Sequence, residues 1–205
     1  MTFAVTAVSG QLGGAIARAL TTLVAADAVV GLARTPANAQ GLGIEVRPGD
    51  YNQPEQLRAS LVGVDALLLV SGMAPPDQRI EQHRNVMEAA RSAGVKKLVY
   101  TSIQGLEEGT GFSAVVQSNR QTEADVRESG LDWVIGRNGI YIEPDVDYIA
   151  HYKAAGEIAN CAGDGACGYT TRPELGAAYA RMLVEAKHNG QTYRLHGERL
   201  TQTQL

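Results

Sequence analysis

FAVTAVSGQLGGAIARAL, residues 3–20, runs from an apolar stretch through a glycine-containing loop into a helical pattern. Residues 3–7 read as a strand. Residues 11–24 read as a helix, with Leu12, Ile16, Ala17, Leu20 and Leu23 at helical spacing. A dinucleotide-binding βαβ unit asks three things of such a turn: a tight exit from the strand, close approach of backbone to a pyrophosphate, and close packing of helix on sheet. Gly10 can supply the approach and Gly13 or Gly14 the packing, while the helix N-terminus offers free N–H groups to phosphate. Ala7 stands where the first glycine is usual. If that position needs φ > 0, the alanine costs about 1 kcal/mol. Alone, an A-x-x-G-x-x-G stretch equally suits a strand–helix turn with incidental glycines.

Working outward, apolar strands alternate with helical segments, which predicts an α/β fold: a Rossmann-like parallel sheet with helices on both faces. Strands are expected at 28–34, 44–51, 65–72, 96–102, 131–141 and 191–198, and helices at 53–63, 77–93, 117–130 and 173–186. The run DALLLVSG, 65–72, is apolar throughout, as a central strand covered on both faces must be. After residue 142 the periodicity weakens. The expected division is a nucleotide-binding domain, 1–142, and a partial, apparently truncated substrate-side lobe, 143–205, with elements returning to the first. Thr201 reads as the cap of a helix barely begun.

The end of the second strand, GLARTP, carries Arg34 about 20 residues after the glycine loop, where an NAD site would place a carboxylate. No carboxylate follows until Glu45. A guanidinium there pairs with a 2′-phosphate, which favours NADP(H) over NAD(H). A net charge of -4 without a Lys/Arg run argues against a nucleic-acid partner. No apolar run reaches the roughly 18 residues of a membrane span, and the N-terminus has no signal-peptide pattern, so the expected location is the cytoplasm. Cys161 and Cys167 read as inert loop thiols. His83 reads as a helix-surface histidine, and His151, His188 and His196 have no metal-ligand spacing, so no metal is expected.

The stretches VTAVSGQLGGAIARAL, LARTPANA, VRPGDYNQPEQL, GVDALLLVSG, QHRNVMEAARSAGVKKLVYTS, TEADVRESGLDWVIGRNGIY and AGDGACGYTTRPELGAAYA, in this order, resemble the NmrA-like atypical short-chain dehydrogenase/reductase family, of the quinone-reductase and triphenylmethane-reductase type. The resemblance implies NADP(H) bound by the first loop. Ala7, Val8, Ser9, Gly10, Gln11 and Leu12 would line the pyrophosphate side and Arg34 would meet the 2′-phosphate. Ser71 and Gly72 would border the ribose, and Thr101 and Ser102 would lie near the nicotinamide. RNGIY matches the family's R-N-G-x-Y and puts Asn138, Gly139 and Tyr141 around the nicotinamide end. Thr171 and Arg172 would, by the same resemblance, approach the cofactor from a later loop. Ala7, where the family has glycine, departs from the pattern, as does the length of the chain.

The usual proton relay of short-chain dehydrogenases, Tyr-x-x-x-Lys, is missing: none of the eight tyrosines has lysine four residues on. That disfavours carbonyl–alcohol interconversion and sugar-nucleotide epimerisation. A quinone or dye-like acceptor asks only for hydride delivery in a near-attack geometry. The expected protein is therefore an NADPH-dependent reductase of a small electron-poor acceptor, a monomer or homodimer, with Tyr141 and Asn138 positioning the acceptor. The alternative is a non-catalytic NADP(H) sensor acting through protein partners.

Overall fold

A computed structural model describes residues 1–105, 113–158 and 162–205. In chain order the first half comprises β1 (Phe3–Val5), α1 (Gln11–Leu20), β2 (Val29–Ala33), β3 (Glu45–Pro48), α2 (Pro54–Ser60), β4 (Ala66–Leu69), α3 (Pro76–Ser92) and β5 (Lys97–Ile103). The second half adds α4 (Ala114–Arg127), β6 (Asp132–Asn138), β7 (Ile140–Tyr141), α5 (Glu143–Ala155), β8 (Ala166–Thr170), α6 (Arg172–Val184), β9 (Gln191–Leu195) and β10 (Arg199–Thr201). Seven strands form one parallel sheet in the order β3-β2-β1-β4-β5-β6-β9, and β10-β8-β7 form a small second sheet. The fold is Rossmann-like, and the strand order reverses between β1 and β4, where ligands of open α/β sheets bind.

Side chains alternate between the two faces of each strand. Phe3, Val5, Leu68, Val99 and Val134 point to one face and pack against Ile16 and Leu20 of α1 and Tyr179 and Leu183 of α6. Ala4, Leu67, Leu69, Leu98 and Ile135 point to the other, under Leu57 of α2, Val86 of α3 and Val126 of α4. Helices α1 and α6 touch closely because Gly176 has no side chain: a Cβ there would lie 2.8 Å from the Ala15 carbonyl oxygen.

Several boundaries differ from the sequence reading. Helix α1 ends at Leu20, not residue 24, because Thr21 and Thr22 turn their hydroxyls back onto the Arg18 and Ala19 carbonyls. Helix α4 begins earlier, at Ala114, capped by the Ser113 hydroxyl. The segment after 142 holds a helix, α5, which buries no residue and so has no apolar stripe to read. Thr201 ends a strand paired antiparallel to β8; the cap-like reciprocal bonds it makes with Gln204 close only the terminal turn. Elements α6 and β9 belong to the main core and sheet, whereas α5 and the small sheet lie outside it. Cys161 lies outside the described residues, and Cys167 is a free thiol. Among the described residues no helix is long and apolar enough to cross a membrane.

Candidate cofactor and acceptor site

The C-terminal ends of β1 to β4 open onto a cleft of about 650 Å³ that includes Ala7, Ser9, Gly10, Arg34, Asp50, Ser71 and Gly72. Its floor is the first loop. Ala7 has φ +52°, the one non-glycine residue at positive φ among the described residues. The Ala7 carbonyl accepts the Gly10 N–H at 2.9 Å, closing the turn. Gly13 then passes directly beneath: a Cβ on it would come within 2.3 Å of the Ala7 oxygen and 2.8 Å of the Thr6 oxygen. The loop therefore has the tight turn and close helix approach that a pyrophosphate cradle requires, at the cost of a left-handed alanine. Replacing Ala7 by glycine relieves that strain less the extra chain entropy of glycine, and should raise unfolding stability by ~0.5–1 kcal/mol, about 1–4 °C in Tm. Thermal unfolding checks this; an unchanged or lower Tm shows that the turn holds alanine without strain.

The cradle's other predicted members divide. Ser9, Gly10 and Gln11 are exposed at the start of α1. Val8 and Leu12 are buried; the Val8 side chain fills the hollow left by Gly31 of β2, so only its backbone faces outward. Arg34 is exposed at the end of β2 and makes no ion pair among the described residues.

The wall of the cleft is the exit from β4, and three side chains from three other elements fix its backbone. Val70 N–H donates to Thr6 Oγ1 at 2.9 Å, Ser71 N–H to Thr101 Oγ1 at 2.9 Å, and Gly72 N–H to His83 Nε2 at 2.9 Å. Tyr51 adds its hydroxyl between Thr6 Oγ1 and the Val70 carbonyl, at 2.5 and 2.8 Å. His83 is not on the helix surface, as its sequence context suggests, but fully buried on the inner side of α3. Because Nε2 accepts from a backbone N–H, Nδ1 must carry the proton, and it bonds Thr122 Oγ1 at 3.0 Å. Burial, then the nearby Arg79 guanidinium, pushes the His83 pKa down to about 3. Nothing in the local sequence IEQHRNV reports this contact, which comes from α3 packing against α4 and the β4 exit.

Thr101 and Ser102 end β5 as expected, but both are buried. Thr101 serves Ser71. Ser102 bonds the fully buried Glu123 carboxylate at 2.6 Å. Glu123 also holds Arg137 Nη2 at 2.7 Å, with Arg120 and Arg127 at 2.8 and 3.1 Å. Burial pushes the Glu123 carboxyl up, but Arg137, the Ser102 hydroxyl and Arg120 outweigh it and hold the group below the ordinary range. Ser102 thus braces the sheet end rather than facing the cleft.

At the end of β6, Asn138 is oriented from both sides. The Tyr179 hydroxyl lies 2.6 Å from Asn138 Oδ1 and 2.8 Å from the Gly136 carbonyl, and Asn138 Nδ2 donates to the Tyr141 hydroxyl oxygen at 3.2 Å. Tyr179 fits there because residue 136 is glycine; a Cβ would sit 2.3 Å from its hydroxyl. Tyr141 is half-buried under the Arg172 guanidinium, 5.2 Å from its ring centre, and burial keeps its phenol protonated well past neutral pH. Since the Tyr141 oxygen accepts from Asn138, its own O–H remains to be donated. Gly139 crosses the small sheet where any side chain would meet the Gly168 carbonyl. Thr171 spends its hydroxyl in a capping box with Glu174 at the start of α6.

Residues 9–160 match the NAD(P)H-binding family. The chain is 40% identical to quinone oxidoreductase 2 of Escherichia coli, covering 98% of this chain and 71% of that protein. It belongs to the NAD(P)H-binding, NmrA-like short-chain dehydrogenase/reductase family. Its fold superposes on the triphenylmethane reductase of Citrobacter sp., solved with NADP(H), with TM-score 0.92 and 35% identity over 98% of this chain and 72% of that one. The NADPH complex of the E. coli quinone oxidoreductase matches with TM-score 0.91 and 38% identity, over 99% and 72%. The protein is an oxidoreductase that binds NAD(P)H and acts on a small-molecule acceptor. The cradle left by Gly10 and Gly13, the fixed β4 exit and an Arg34 without an ion pair among the described residues fit that cofactor on the structure's own terms.

Proposed function

We propose that the protein is an NADPH-dependent reductase of quinones or similarly electron-poor acceptors, working without a tyrosine–lysine relay. The Asn138–Tyr141 pair carries this reading, a phenol held by an amide with its O–H left to donate. When bound, NADPH supplies hydride, and with a proton from solvent it takes a quinone to the hydroquinone. Gly10 and the α1 N-terminus would hold the pyrophosphate, and Arg34 the 2′-phosphate, which gives NADP(H) its advantage over NAD(H). The Ser71–Gly72 backbone would border the ribose. Tyr141 would donate to an acceptor carbonyl, stabilising the charge that develops on its oxygen. A protonated phenol with no lysine beside it suits an acceptor whose reduced anion is delocalised and finds its own proton in water. The names of the E. coli and Citrobacter relatives, a quinone oxidoreductase and a dye reductase, point the same way.

The expected result is that NADPH absorbance falls on adding a naphthoquinone, and that Tyr141→Phe lowers kcat/KM by roughly 10-fold while NADPH affinity holds. NADPH binding with no quinone turnover in the full chain would return the protein to the sensor reading.

A further inference from the structure

A second cleft, about 610 Å³, opens at the ends of β5, β6 and β9 and is shared by Asn138 and Gly139. Its lining carries Arg137, Arg194 and Arg199, together with Gln104 and His196, and no carboxylate among the described residues. Arg137 is neutralised by Glu123, but Arg194 and Arg199 are exposed and make no ion pair among the described residues. Arg194 stands beside Arg137 across the parallel β6–β9 register; with Arg137 held by Glu123, the charges left uncompensated at the cleft among the described residues are those of Arg194 and Arg199. Gln104 lies at the same mouth, its backbone N–H tied to the Asn138 carbonyl at 2.8 Å, while its Nε2 is buried with no partner among the described residues. A buried donor left unmade is expensive, so this amide also calls for an acceptor. Glycine at 139 and 168 lets the His196 side chain nest against the sheet: a Cβ at Gly168 would fall 2.6 Å from its ring. The His196 Nδ1 proton is committed to the Gly197 carbonyl at 2.7 Å.

From this cluster we infer that the second cleft binds the anionic substituent, carboxylate, sulfonate or phosphate, of the acceptor, with Arg194, Arg199 and the Gln104 amide as its donors. The inference rests on the quinone-reductase reading only in calling the bound molecule an acceptor. Asn138 belongs to this cleft and to the Tyr141 pair, so a ring presented to Tyr141 can extend its charged group toward the arginines.

The test is calorimetric titration of the full, cofactor-free chain with a sulfonated naphthoquinone, its unsulfonated parent and inorganic sulfate, beside steady-state NADPH oxidation with both quinones. Wild type should bind the sulfonated compound roughly 10-fold or more tightly than the parent, with the same ratio in KM. The exposed double variant Arg194→Gln/Arg199→Gln should bring both ratios near one and leave the parent's values unchanged. Equal binding of the two quinones by wild type, or a preference that survives in the double variant, overturns the inference. Arginine-dependent binding of sulfate without any gain for the sulfonated quinone overturns it too, since the cleft would then be a separate site for a free anion. If neither quinone is reduced, the quinone-reductase reading fails, while the titration still decides whether the arginines select an anionic ring.

Discussion

Replacing Arg34 by alanine should raise the KM for NADPH by roughly 10- to 100-fold and leave that for NADH within about 3-fold, because the two cofactors differ only in the 2′-phosphate. The side chain is exposed at the rim of the cleft and free of ion pairs among the described residues. No internal partner is orphaned by the change, so folding should be intact and the loss confined to binding. Cations in the neighbourhood do not compensate: Arg34 is the one lysine or arginine lining this cleft among the described residues. Asp50 lies in the same lining, its Oδ1 accepting the Asn52 backbone N–H at 2.9 Å, and brings no positive charge to replace the guanidinium. Initial rates with a common quinone at varied NADPH and NADH measure both constants. An equal loss for the two cofactors shows that Arg34 meets a group they share, and that the preference for NADP(H) has another origin.

Lowering the pH from 7 to 5 should cost about 2 kcal/mol of folding stability through His83 alone. The sign follows from the direction of the shift. The folded pKa, about 3, lies below the ordinary 6.5, so the unfolded chain takes up a proton that the folded one refuses. Stability is thus complete above pH 6.5 and falls as the pH drops from there toward 3. The cause is geometric as well as electrostatic: a proton on Nε2 would face the Gly72 N–H, donor against donor, in a fully buried site. The same protonation detaches Gly72 from α3, so cofactor affinity should weaken over that range. Urea unfolding at pH 7, 6 and 5, for wild type and His83→Gln, measures the effect. The variant should be less stable at pH 7 but lose about 2 kcal/mol less on acidification. Parallel pH profiles for the two proteins would show that His83 is not the residue that titrates.

These two residues mark the boundary of what could be read in the chain. Arg34 was legible because a βαβ unit brings the end of its second strand to the loop after the first, so a fixed spacing in sequence becomes proximity in space. The glycine loop was legible for the same reason, and so was RNGIY, where Asn138 and Tyr141 lie three residues apart and meet directly. His83 reads locally as a surface residue on a polar helix, and its partners Gly72 and Thr122 are 11 and 39 residues away. Ser102 reads as a strand-end hydroxyl pointing at a ligand, yet a carboxylate 21 residues on draws it inward. Helix α5 left no pattern because it buries nothing.

Local periodicity and short-range spacing, acting over a strand, a turn and a helix, determined the parallel sheet and the turn of the first loop, and they are what the proposed placing of the cofactor rests on. Only the packed structure decided that Ala7 is left-handed, that the β4 exit hangs from Thr6, Thr101 and His83, and that arginines from β9 and β10 gather beside Asn138. Those depend on which distant segments come into contact, and hydrogen bonds across the sheet and between helices have no period in the sequence by which to be found.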